Sequence, residues 1–396
     1  MRILYLDWDE FTGEDCREVM KEMGYTVIPF FYKWKNLSED KDFETALLKE
    51  MAYPTDSLES YDLTFSFNFF PIVSEACQKM NIPYIAWIFD APHLTLTSGT
   101  VQNNVNRIWI FDYALYRQMK ETNIHTVYYS PLAVNGKRLL AQTAVLDEET
   151  LIYEHDVCFL GSLYDNEYNF YDKAAEYFPA ELRGYLEGLF AAQQQLFGLD
   201  LLGNEDILPS KMVREINRYM KFELSGSYDM NLDNVIRDIL RKKITQMERK
   251  TLLEYLGRYF KLDLYTQKCS PIIKNVYDLG WADYMSNMPR IFHRSKINLN
   301  FTMRSIKTGI PLRALDIMGA GGFLLTGYQA ELDEYFVNGQ DLVMADSPAD
   351  MQQKIAYYLS HEEEREEIAR NGQKKTIEKF DYRKILSQIF LNSCNI

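Results

Sequence analysis

Long apolar runs are missing from this chain: no stretch reaches the ~18 consecutive residues that mark a membrane-spanning helix, so no transmembrane segment is expected. A basic excess is missing too. The 43 Lys and Arg face 57 Asp and Glu, a formal net charge of −14, and no long Lys/Arg run occurs. That removes the electrostatic footprint of a nucleic-acid or anionic-lipid binder, leaving room only for a local basic pocket that takes a small phosphate compound. Cysteine is scarce: Cys16, Cys77, Cys158, Cys269 and Cys394 are scattered, odd in number and never spaced C-x-x-C. This argues against a disulfide framework or zinc knuckle and for a reducing compartment. The amino end reads as a strand, Met1-Arg-Ile-Leu-Tyr-Leu6, without a signal-peptide h-region, so a cytoplasmic location is the expectation. His125, His155, His293 and His361 show no metal-ligand spacing, and no G-x-S-x-G, Walker A or G-x-G-x-x-G string is present.

What is there suits a globular protein of two domains: 396 residues, 47% apolar and 25% charged. Aromatic residues reach 14% but are spread along the chain, which reads as core and cleft lining. Up to about Asn135, apolar runs (Arg2–Leu6, Thr26–Phe31, Leu63–Phe67, Tyr84–Phe89, Arg107–Phe111, Thr126–Tyr129) alternate with amphipathic stretches. The alternation predicts a parallel sheet covered on both faces. Pro131 to about Thr150 reads as an interdomain connection, and Asp156–Leu160 opens a second set of strands. Residues 167–260 carry helix-period patterns without a convincing strand, interrupted near Gly203–Pro209 and Gly226; we read them as a helical insertion. Strands then return at Leu262–Tyr265, Ile297–Phe301, Phe323–Thr326 and Leu342–Met344. The expected fold class is α/β: two Rossmann-like domains facing a cleft, the second with a helical insertion. The expected boundaries are 1–140 and 141–375, with a carboxyl-terminal helix over 376–396 that packs back on the first domain. Ligands in such sheets sit outside the carboxyl ends of the strands.

Most informative is Lys296–Arg304 followed by Ile310–Thr326, which reads as strand, loop, helix, glycine stop and buried strand. A loop feeding a helix N-terminus offers free N–H groups and a positive dipole end, which suit a diphosphate. Arg304, Lys307, Thr308, Gly309 and Arg313 bracket that loop, and cations there would meet the charge of a leaving diphosphate; the alternative is three solvated cations. Asp316 lies inside the helix, where it either accepts hydrogen bonds from a ribose diol or pairs at the surface with Arg313. Tyr284 either covers a nucleobase or fills core. Asp90-Ala-Pro-His93 ends a buried strand, so His93 or Asp90 is either a general base toward an acceptor hydroxyl or part of a turn. Asn68, among aromatics just past another strand, binds an acceptor sugar or closes a turn. Asp7-Trp8-Asp9 has the D-x-D form of a metal-diphosphate site but follows the first strand; we read it as a βα loop, with Asp9 on the acceptor side.

Residues 281–372 resemble the C-terminal half of bacterial GT-B glycosyltransferases, with the closest look to the CgeB-like group. The residues that carry this are Tyr284, Met288-Pro, Lys296-Ile-Asn-Leu-Asn, Pro311-Leu-Arg-Ala-Leu-Asp-Ile-Met, Gly321-Gly-Phe-Leu-Leu-Thr, Glu331-Leu and Gly339-Gln-Asp-Leu-Val. The N-terminal half resembles the domain often fused ahead of it, through Phe65-Ser-Phe-Asn68-Phe-Phe-Pro71 and Trp87-Ile-Phe-Asp90-Ala-Pro-His93. The resemblance implies transfer of a sugar from a nucleoside-diphosphate sugar, a UDP-sugar as first expectation, to a glycan, protein or small-molecule acceptor, with no metal and no other cofactor. Many relatives carry two acidic residues eight positions apart; Asp316 matches the second, which holds the ribose, whereas the first falls on the uncharged Thr308. The alternative readings are a nucleotide-sugar epimerase or hydrolase on the same architecture, or a non-catalytic assembly protein that retains the fold. A homodimer through the amphipathic insertion is a further expectation.

Overall fold

The computed structural model describes residues 1–33, 40–57, 59–148, 153–165, 169–196, 199–223, 231–267 and 272–394. Two compact units emerge. The first comprises Met1–Asn135, Glu223–Leu232 and Asp381–Ile396; the second comprises Gly136–Phe222 and Asp233–Phe380.

Unit 1 contains β1 (Arg2–Asp7), α1 (Gly13–Glu22), β2 (Thr26–Phe31), α2 (Lys41–Ala52), β3 (Leu63–Phe67), α3 (Pro71–Met80), β4 (Tyr84–Ile88), β5 (Asn106–Ile110), α4 (Tyr113–Glu121) and β6 (Val127–Tyr129). Its strands form one parallel sheet in the order β2-β1-β3-β4-β5-β6. Every residue of β3 and β4 is buried, the mark of strands covered on both faces. Edge strand β2 instead alternates in exposure and tolerates Pro29, which has no N–H to give a further neighbour. At the start of α4, Asp112 accepts from the N–H groups of Ala114 and Leu115 at 3.0 and 3.2 Å.

Unit 2 begins with α5 (Gly136–Glu148) and β7 (His155–Leu160), then the helices α6 (Phe170–Ala175), α7 (Ala180–Gln194), α8 (Ser210–Met220) and α9 (Leu232–Leu256). There follow β8 (Leu262–Tyr265), β9 (Val276–Asp278), α10 (Asn287–His293), β10 (Ser295–Asn300), α11 (Leu312–Gly319), β11 (Leu324–Gly327), α12 (Ala330–Tyr335), β12 (Val343–Ala345), α13 (Pro348–Ser360) and α14 (Glu362–Phe380). The sheet order is β12-β11-β10-β7-β8-β9, again parallel throughout. Counted within the unit this is 3-2-1-4-5-6, the dinucleotide-binding order. The last helix, α15 (Tyr382–Cys394), belongs to unit 1, where Phe390 meets the rings of Tyr25 and Phe65, and Ser393 accepts from the Trp109 indole at 3.2 Å.

The insertion is a small helical layer with its own core, including Leu186, Val213, Ile216 and Leu240, each fully buried. The apolar faces of α6–α9 are turned toward one another. Bidentate pairing of Arg241 with Asp200 further ties the layer together. The interruption expected at Gly226 lies outside the described residues. One expectation needs correcting: the stretch read as a connection, 131–150, holds the helix α5, whose apolar side is narrow, with Leu139 buried but Leu140 and Val145 exposed. The helix α2 and the three-residue β9 also went unread, the latter too short to show a period.

Helix α11 ends as its sequence suggests. Gly321 has φ +74°, its N–H bonds the carbonyl of Met318, and the N–H of Gly322 reaches that of Ile317. A Cβ on Gly321 would also stand 3.0 Å from the Gln373 amide. Gly321→Ala should therefore lower unfolding free energy by about 1–2 kcal/mol, read as a reduced denaturant midpoint at unchanged slope; an unchanged midpoint would contradict this cap.

Candidate functional site

In each sheet the order reverses once, and loops at such a reversal are where open α/β sheets place ligands. For unit 2 the reversal falls between β7 and β10. The loop after β7 starts with Gly161 and Ser162 and contains Tyr164, which has φ +53°. An aromatic residue in that conformation is strained, and such outliers gather at functional sites. Gly161 lies close under Arg313: a Cβ there would sit 2.5 Å from Nη1 of Arg313, which would have to shift.

Two guanidiniums gather around this loop. Arg249, on α9, donates to the carbonyls of Ser162 and Phe301, the latter at 2.6 Å, and lies over the rings of Phe159 and Tyr164. Its Nε is buried without a partner among the described residues. Arg313, in the first turn of α11, makes no hydrogen bond or ion pair with the described residues. It retains some accessible surface, yet its head group is dehydrated enough to pull its pKa down to about 10; the charge of Arg249 lowers it further, against the opposing pull of Tyr164 and Asp316. Burial lowers Arg249 likewise. Neither cation is ion-paired to a carboxylate among the described residues. Holding two such charges close together, away from water, is costly unless an anion answers them. No side chain caps the N-terminus of α11, which adds open N–H groups at the same place.

One turn further along α11, Asp316 is 3% exposed and accepts from the Tyr284 hydroxyl at 3.0 Å. The structure thus groups Arg313, Asp316 and Tyr284. Arg304 is held in a two-pronged pair by Glu248 of α9, so its charge is answered within the chain. Lys307 and Thr308 are half-buried and Gly309 buried in the loop after β10, and the Thr308 carbonyl accepts from the N–H of Glu331 at 3.0 Å. Sequence reasoning missed Arg249, Glu248 and Gly161. Charges on a helix normally mark its wet face, so α9 gave no sign of the first two.

For unit 1 the reversal falls between β1 and β3. After β3, Asn68 has φ +60°; its Nδ2 donates to Asp90 at 2.8 Å, while its Oδ1 accepts from the N–H groups of Phe89 and Asp90. Asp90 is exposed. His93 is placed differently: its Nε2 lies 2.8 Å from the Phe69 carbonyl and 2.7 Å from the Thr95 hydroxyl. Asp9 is exposed at φ +68°, and its N–H bonds the Asp7 carboxylate, whose other oxygen pairs with Arg17 at 2.8 Å. Among the described residues no cluster of three or more His, Cys, Asp or Glu is arranged to hold a metal ion, and no helix is long and apolar enough to cross a membrane.

A family model described as glycosyl transferase-like matches residues 211–390, just under half of the chain. No curated protein matches it. Several solved structures share its fold over the whole length. Sucrose-phosphate synthase from Thermosynechococcus elongatus has a TM-score of 0.58 at 8% identity, covering 100% of this chain and 98% of that one. Anabaena HepE, solved with UDP and glucose, has a TM-score of 0.52 at 11% identity, with 100% of both chains covered. A UDP-forming α,α-trehalose-phosphate synthase from Burkholderia xenovorans has a TM-score of 0.51 at 11% identity, covering 100% and 99%. The fold is therefore the GT-B type: two six-stranded parallel sheets in tandem, each flanked by helices.

Burial pushes the His93 imidazole below its ordinary value of 6.5, with the Phe69 carbonyl and Asp90 opposing. The unfolded chain therefore takes the proton more readily. The stability His93 contributes is complete above its unfolded value of about 6.5 and is lost as pH falls through the folded one. Between about pH 7.5 and about pH 5 the wild-type melting temperature should fall more steeply than that of His93→Gln; parallel curves would show that the ring is not dehydrated.

Proposed function

We propose that this chain is a glycosyltransferase that moves a sugar from a nucleoside-diphosphate sugar to an acceptor hydroxyl. The observation that carries the reading is the pair Arg249 and Arg313, two dehydrated cations without ion-pair partners among the described residues, at the reversal point of a 3-2-1-4-5-6 sheet. A diphosphate supplies the charge they lack. Asp316, one turn from Arg313, would accept from the ribose diol, and Tyr284 both orients that carboxylate and offers a ring to the base. That the solved relatives include a protein captured with UDP and a UDP-forming synthase supports a uridine nucleotide as the first donor to try. Placement in the CgeB-like group rests on the motifs at 284–301 and 311–326.

In the reaction the bond between the anomeric carbon and the diphosphate oxygen breaks, and the electron pair leaves with the diphosphate. Arg249, Arg313 and the open end of α11 stabilise the charge that develops there, in a site where they need not reorganise. The acceptor oxygen forms the new bond and gives up its proton. Asp90 is the better suited base: its carboxylate is exposed and held by Asn68, whereas Nε2 of His93 is occupied by the Phe69 main chain and Thr95. His93 then keeps the Asp90 loop in position. With the guanidiniums answering the leaving group, no metal is required in this scheme.

The test is a thermal-shift and calorimetry panel of UDP-, GDP-, dTDP- and CDP-sugars. At a ligand concentration 100 times Kd the favoured donor should add about 2.7 kcal/mol of stability. Arg313→Met should abolish that gain while leaving the ligand-free melting temperature unchanged or higher, because a dehydrated cation has been removed. Asp316→Asn should weaken binding about ten- to a hundredfold, the usual worth of a hydrogen bond to a charged group. Full nucleotide affinity in Arg313→Met would overturn the assignment.

A further inference from the structure

Three side chains of α9 close on the loop that follows β7. Gln246, Arg249 and Lys250 stand at positions i, i+3 and i+4, which share one face of a helix. Nε2 of Gln246 donates to one oxygen of the Asp165 carboxylate at 3.0 Å and reaches the Tyr164 carbonyl at 3.4 Å. Lys250 pairs with the other oxygen of Asp165 at 2.6 Å. Arg249 donates to the Ser162 carbonyl and lies over the Tyr164 ring. Gln246 is held in its turn: its Oε1 accepts from Lys243 at 2.6 Å, and Lys243 pairs with Asp172 of α6 at 2.6 Å.

The loop needs such a grip. Tyr164 keeps its left-handed φ only while the surroundings over-determine it. The loop begins anchored to the sheet, through the N–H of Gly161 on the Tyr265 carbonyl at 2.9 Å and through the buried Leu163. Tyr164 and Asp165, by contrast, are gripped from α9. The Asp165–Lys250 pair is largely shielded, with the side chains 12% and 21% exposed, so it holds more firmly than a pair in open water. What is held matters to both guanidiniums: Gly161 lies under Arg313, while Ser162 and Tyr164 support Arg249. If Tyr164 relaxed to negative φ, the Ser162–Asp165 backbone would turn and Arg249 would lose its carbonyl and its ring.

We propose that Gln246 and Lys250 are positioning residues for the diphosphate: by gripping Asp165 they keep the loop after β7 in the one conformation that sets Arg249 beside Arg313. The inference rests on the nucleotide reading and adds to it a task for the helical insertion. Neither residue has to touch the ligand. Charges already in place stabilise an anion without reorganising. Loss of the grip should therefore weaken the hold on phosphate and leave the hold on nucleoside as it was.

Wild type, Lys250→Met, Lys250→Arg and the double variant Gln246→Met with Lys250→Met are titrated with UDP and inorganic pyrophosphate by calorimetry, and with uridine by saturation-transfer NMR. Order in the loop of the ligand-free chain is followed as hydrogen exchange of the amides of residues 161–165. The double variant should bind UDP and pyrophosphate about tenfold more weakly while uridine stays within about twofold, and its loop amides should exchange faster. Lys250→Met alone should move the same way by a smaller factor, which keeps the test open if the double variant does not fold. Lys250→Arg retains a cation for Asp165 and should bind UDP as wild type does. Unchanged UDP affinity in the Met variants, or UDP and uridine weakened by the same factor, would overturn the positioning role and leave the nucleotide reading intact. A wild-type chain that binds neither UDP nor pyrophosphate would overturn both.

Discussion

Two largely dehydrated positive charges, with no ion-pair partner among the described residues, are the constraint around which unit 2 is arranged. Arg249 is fixed by two main-chain carbonyls and two aromatic rings, so it cannot swing out to solvent. Arg313 rises from the first turn of α11, and its head group lies over Gly161, close enough that a Cβ there would displace it. Chains seldom maintain such an arrangement for stability, because each cation loses hydration and repels the other. It makes sense as preorganisation: charges set in place before the anion arrives stabilise it without further cost in orientation.

The insertion acquires a role in that light. Its helices form a separate core, and α9 runs from that core into the core of the sheet. From that helix Arg249 and Glu248 point to different tasks. The first faces the reversal point of the sheet. The second neutralises Arg304. A sheet order shared with dinucleotide-binding proteins supplies the anion end of the site. The insertion supplies what is particular to this chain.

Much of the fold was legible because its signals are local. Buried runs such as Leu63–Phe67 and Tyr84–Ile88 advertise parallel strands, and Gly321 after an apolar helix marks a stop. Asp316 was readable because a carboxylate among Leu315, Ile317 and Met318 has to be buried with a purpose. What was hidden depends on distant partners. Nothing near Arg304 announces that Glu248, 56 positions away, takes up its charge, and nothing near Arg249 says that α9 presses it between two loops. Likewise His93 looks like a free base in sequence, and only the fold shows its Nε2 against the Phe69 carbonyl. Helix α5 was obscured because its buried stripe is one residue wide where Leu139 sits.

The central claim is that the anion belonging to Arg249 and Arg313 is a nucleotide's diphosphate. A crystal structure of the chain grown with UDP tests it most directly. The account predicts both guanidiniums within hydrogen-bond reach of the phosphate oxygens and the ribose hydroxyls on Asp316. A nucleotide found against unit 1, or phosphates lying away from both arginines, would contradict it.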